Sequence, residues 1–190
     1  MAHNDEVFKS VKQMVIFDLK PAVKVMADKN FWKTEKSIYQ NTVKSLNANV
    51  QLGRLVKEYN HYKIPGCNSD WNNPHVKELT YCLAEILKLP FEATVFREHH
   101  VEPLGLRPDG LILLTHEGKG RCFILEVCLN ETESYLRQKQ TAWEHWPQAT
   151  EYLSNLFKVK VPHFDFVATK ALKDAFLFQD YLTLVQEDLS

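Results

Sequence analysis

The chain has 190 residues, 45% of them hydrophobic and 25% charged, and a net charge of −1; this is ordinary globular usage and excludes a disordered or low-complexity protein. No run of about 18 apolar residues and no basic-then-apolar leader occurs, so we expect a cytoplasmic protein with no membrane partner. The near-neutral total hides an asymmetry: residues 1–63 hold 10 Lys and 1 Arg against 6 acids, or +5, while residues 64–190 stand at −6.

A basic first third suits a polyanion, and an acidic remainder suits a cation or another protein. From Glu6 to about Lys57 the pattern is helical. Val7, Phe8, Val11, Met14 and Val15 form a stripe at spacings of three and four; Val23, Met26 and Ala27 follow Pro21; Thr34 caps a third run with Ile38, Thr42, Val43, Leu46, Leu52, Leu55 and Val56. Three short helices in a basic segment are compatible with a helix-turn-helix or winged-helix module, whose third helix would present Lys36, Gln40, Asn41 and Lys44 to DNA. A helical cap packed on the next domain satisfies the same pattern. The Asn-, Gly- and Pro-rich stretch from Asn60 to Pro74 marks the joint, so we expect a helical module over 1–63 and an α/β domain over 64–190.

In that domain "PHVKELTYCLAEILKLP" reads as a helix with Val76, Leu79, Cys82, Leu83, Ile86 and Leu87 on one face. Three strands follow in "EATVFREHHVE", "PDGLILLTHE" and "RCFILEVCL", then a helix from about Glu131 to Phe157, a strand in "VPHFDFVATK" and a last helix in "LKDAFLFQDYLTLVQ". The order predicts a mixed sheet, a meander first and a strand returned by a crossover helix. Glycine-rich phosphate loops are absent, which removes nucleotide-dependent classes. Four cysteines without a CxxC pair exclude a zinc knuckle and read as free thiols.

Two carboxylates stand out. Asp109 opens the second strand, and Glu126 lies among Ile124, Leu125 and Val127, where a carboxylate is costly unless it is paired, exposed or bound to a cation. A divalent metal site for phosphodiester cleavage is one answer, because magnesium takes hard oxygen ligands and keeps several waters. Glu98 and His100 would share a face by strand alternation and form a secondary candidate pair, with His99 on the other side. Trp143 and Trp146 pack the crossover helix.

Pro108-Asp109 and Glu126-Val127-Cys128, split by the turn at "HEGKG", resemble the core of the PD-(D/E)xK nuclease superfamily over residues 74–170. More narrowly, "GLRPDGLILL", "CFILEVCLNETESYLRQKQTAW" and "FREHH" are similar to the replication-relaxation family of bacterial mobile elements. The resemblance implies a winged-helix module ahead of a nuclease-like mixed sheet flanked by helices. It also implies Mg2+ or Mn2+ on Asp109 and Glu126, with Glu85 or Glu78 of the preceding helix as third acid, and DNA plus replication or transfer proteins as partners. Cys128 stands where the motif has lysine; Lys139 on the next helix or Arg107 beside Asp109 could supply the missing cation. Three readings follow: a DNA-binding accessory protein with a weak or inactive nuclease-like domain, an active magnesium-dependent endonuclease, or a protein adaptor built on that scaffold.

Overall fold

The computed structural model describes residues 2–29, 32–172 and 175–190. Over these the chain is mixed α/β, with seven α-helices and two sheets. It divides into two compact units, Met1–Pro90 and Phe91–Ser190. The sequence reading puts the joint at 63/64; the division instead leaves the helix after the loop with the first unit.

The first unit runs α1 (Ala2–Val11), β1 (Ile16–Asp18), α2 (Leu19–Asp28), α3 (Glu35–Gln51), β2 (Val56–Glu58), β3 (His61–Lys63) and α4 (Pro74–Lys88). The expected first stripe is interrupted. Val7 and Val11 are buried on α1, Met14 lies in a 3-10 turn, and Val15 at φ 64° turns the chain into β1. Asp18 caps α2 by accepting from Lys20 N–H, and α2 buries Pro21, Ala22, Val25 and Met26, leaving Ala27 exposed. Thr34 caps α3 in a reciprocal box with Ser37. α3 stops at Gln51, so the expected continuation through Leu55 and Val56 is instead a turn at Gly53 (φ 69°) leading into β2. The three strands pair antiparallel in the order β1-β3-β2, with Phe17 opposite Tyr62 and their rings 5.8 Å apart. Asn73 and Pro74 start α4, whose Val76, Leu79, Cys82, Leu83, Ile86 and Leu87 are buried as expected.

The second unit contains β4 (Glu92–Arg97), β5 (Gly110–His116), β6 (Lys119–Glu126), α5 (Glu133–Glu144), α6 (Ala149–Phe157), β7 (Asp165–Ala168), β8 (Phe176–Leu177) and α7 (Phe178–Leu189). Its sheet has the order β4-β5-β6-β7-β8: an antiparallel meander, then two parallel pairings. Glu117 (φ 48°) and Gly118 (φ 81°) form the two-residue turn between β5 and β6, the positive-φ geometry that matches strand twist. The predicted single crossover helix is two helices, because Pro147 has no N–H to donate and breaks the ladder between Glu144 and Ala149. Leu111, Leu113, Cys122, Ile124 and Phe166 of the sheet share one core with Leu136 and Trp143 of α5 and Leu153 and Phe157 of α6. The other face packs Phe123 against Tyr181 of α7, ring centroids 5.0 Å apart. α7 begins at Phe178, later than the predicted start at Leu172; Lys173 and Asp174 of that stretch lie outside the described residues. Among the described residues no helix is long and apolar enough to cross a membrane.

Candidate functional site

The site is built by strand register. Gly110 pairs with Leu125 in the antiparallel β5–β6 ladder, so Asp109, one residue before β5, falls opposite Glu126, and directly opposed residues share a face. That face continues through Leu111 and Ile124 into the core beneath α5. Asp109 is 8% exposed. Its backbone carbonyl accepts from Glu98 N–H at 2.9 Å, and its Oδ2 accepts from Val127 N–H at 2.6 Å, which fixes the carboxylate across the end of β6.

Glu126 is 2% exposed, and its Oε2 accepts from Lys139 Nζ at 2.6 Å. Lys139 reaches it from the second turn of α5, on the flank of the stripe formed by Leu136, Gln140 and Trp143 that anchors the helix. Burial acts to lower the lysine pKa, but the charge and hydrogen bond of Glu126, together with Asp109 and Tyr135, outweigh it and hold the ammonium above its usual range. Both carboxylates therefore act on one cation. This answers the cost of burying Glu126: a buried charge persists when it is paired and hydrogen-bonded. The Tyr135 ring, one turn before Lys139 on α5, lies 5.1 Å from the ammonium. It was not among the expected site residues, although its position four before Lys139 puts both on one helix face.

Cys128 lies beyond the end of β6. Its N–H donates to Thr169 Oγ1 at 2.8 Å, and its Sγ contacts the Glu126 carbonyl at 3.6 Å. Burial, then the charges of Glu131 and Glu126, push the thiol pKa up, so it remains a protonated, poorly nucleophilic group. Strand alternation does not carry through to this residue, and the Glu126 carboxylate already has an ammonium. Cys128→Lys is accordingly expected to add no activity and to lose about 1–3 kcal/mol by overpacking a half-buried position, measurable by urea unfolding beside Cys128→Ser, which should stay near the wild type.

The remaining expected residues are dispersed. Glu85, the expected third acid, is bound in the first unit by Lys24 and by Lys88 at 2.9 Å; burial pushes its pKa up, but the two lysines more than offset this and hold it low. Glu78 is exposed on α4. The Glu98–His100 pairing rested on alternation, but β4 ends at Arg97 and Glu98 has φ 49°, so the pattern stops before either residue. Glu98 Oε2 is 3.5 Å from Arg97 Nε, and His100 is exposed. His99 is half-buried, with Nε2 2.9 Å from Tyr152 Oη. Arg107 is exposed and donates from Nε to the Glu98 carbonyl at 2.8 Å. On α3, Lys36, Gln40 and Lys44 are exposed at spacings of four, with Asn41 half-buried beside them.

Two carboxylates on facing strand positions fit the hard-oxygen preference of Mg2+ or Mn2+. Among the described residues, no group of three or more His, Cys, Asp or Glu side chains forms that could hold a metal ion. No family model, no curated protein and no solved structure matches the chain.

Proposed function

We propose that the chain is a DNA-binding accessory protein of a mobile element whose second unit retains a slow, Mg2+- or Mn2+-dependent phosphodiester-cleaving site of the PD-(D/E)xK type. The observation that carries this reading is the convergence of Asp109, Glu126 and Lys139, which puts an ammonium of α5 beside the two carboxylates; on this reading it stands in for the lysine that Cys128 replaces. A metal held by Asp109 and Glu126 would neutralise developing phosphate charge and lower the pKa of a bound water. Lys139 orients Glu126 through their hydrogen bond, and its ammonium is the group able to contact a phosphate oxygen or orient water. Asp109, tied to Val127 N–H, keeps its carboxylate at a fixed place opposite Glu126. The test is nicking of supercoiled plasmid with Mg2+ or Mn2+. Slow nicking lost in Asp109→Asn supports the proposal; cleavage unaffected by that change, or none with either ion, overturns the enzymatic part.

Support for DNA binding comes from the first unit. The order α1-β1-α2-α3-β2-β3, with the sheet order β1-β3-β2, is compatible with a winged-helix module, and its third helix exposes Lys36, Gln40 and Lys44 along one ridge. Reversing Lys36 and Lys44 to Glu together is expected to weaken duplex binding at least tenfold at low salt. If both contact phosphates, it should also lower the slope of log K against log salt by roughly 2; fluorescence anisotropy across a salt series measures both. A second reading, a scaffold that docks replication or transfer proteins without cleaving, is favoured by the same ion pair, because Glu126 is already neutralised by Lys139.

A further inference from the structure

Tyr135 is 47% exposed, yet its ring lies 5.1 Å from the ammonium that Glu126 holds. It lies in the first turn of α5, whose N-cap Thr132 accepts from Tyr135 N–H, so the backbone carrying the ring is anchored. Leu129, also exposed, lies in the short loop that joins Glu126 to this helix. An aromatic ring is thus left partly to solvent against the ion pair of the site, with an exposed apolar residue in the loop that leads to its helix. Neither contributes to the core of the unit, whose buried α5 residues are Leu136, Gln140 and Trp143.

We infer that Tyr135 is a stacking platform for an unpaired base, so that the site engages a nucleic-acid strand locally free of its partner. The inference rests on the phosphodiester reading above. A base inside a duplex has both faces covered by its neighbours, whereas an unpaired base can offer a face to an aromatic ring, an interaction that tolerates any sequence. The chemistry of the pair matches one nucleotide: the ring would take the base, and Lys139, 5.1 Å from that ring, is within the span of the same nucleotide's phosphate. An ammonium close to the ring also polarises it and fixes its orientation, as cation–π contacts do. The first unit then supplies duplex affinity through α3 while the second selects the unpaired strand.

The experiment uses the full chain without divalent ions, and a single-stranded oligonucleotide carrying 2-aminopurine, whose fluorescence falls when the base stacks. The wild type is expected to bind the strand and quench the probe. Tyr135→Ala should weaken strand binding by about fivefold or more, the range of one base–aromatic stack, and abolish the quench; Tyr135→Phe should retain both, because the ring and not the hydroxyl is used. Equal quenching by wild type and Tyr135→Ala overturns the inference, as does loss of the quench in Tyr135→Phe. Duplex binding by the wild type without any strand binding overturns it too while leaving the DNA-binding reading intact. Absence of binding to either form overturns both.

Discussion

Replacing Lys139 by Met is expected to cost about 3–5 kcal/mol of stability at pH 7, because it strands a carboxylate that is 2% exposed without its cation. That is a large share of the roughly 5–15 kcal/mol that holds a domain folded, and the urea midpoint should fall accordingly. The double variant Glu126→Leu with Lys139→Met removes both charges and is expected to recover most of the loss, since a buried pair is often no more stabilising than apolar groups of similar size. If both variants are equally destabilised, the ion pair is not the source of the loss. The pair also predicts an alkaline limit. The folded-state pKa of Lys139 is raised, so its contribution is fully present below the ordinary lysine value of about 10.4 and disappears as pH rises through the raised value. Lys139→Met should abolish that part of the alkaline destabilisation.

Asp109 separates structure from chemistry through a choice of substitution. Asp109→Ala removes the acceptor for Val127 N–H and leaves a buried donor unsatisfied, at about 1–3 kcal/mol. Asp109→Asn keeps an oxygen to accept that bond but removes the charge a divalent ion requires. Its stability should remain within about 1 kcal/mol of wild type, while metal-dependent nicking falls by a hundredfold or more, as loss of several kcal/mol of charge stabilisation implies. Parallel unfolding curves and plasmid nicking assays read the two effects separately. Equal losses of activity and stability in both variants would return Asp109 to a purely structural role.

The opposition of Asp109 and Glu126 was legible because period-two alternation and a two-residue turn at Glu117-Gly118 leave little choice of register. Lys139 was legible only as a residue on the following helix. Its aim depends on how Leu136, Gln140 and Trp143 seat that helix on the sheet, a rotation that no local pattern states. Pro147 does carry a local signal: a proline within a helical run predicts a break, and α5 ends before it. β1, β2 and β3 are three residues each, too short to show a period. The left-handed backbone of Glu98 has no sequence signature, since glycine is the residue that normally marks it. Glu85 looked available because helix spacing fixes a face of α4 but not which lysines, here Lys24 and Lys88, will occupy it.

The tight turn at Glu117-Gly118 has a consequence in time. It makes β5–β6 the most local pairing of the second unit, whereas β7 returns after about forty residues of chain. The hairpin can zip pair by pair from that turn to Gly110–Leu125, whereas α5 seats on a core that needs Phe166 of the late-returning β7; where locally nucleated pairing closes first, the two carboxylates meet before α5 is docked and face one another without a counterion until then. Loss of Lys139 should then appear mainly as faster unfolding, and loss of the Asp109 tether to Val127 mainly as slower folding. The two limbs of a chevron plot would carry the order in which the site is assembled.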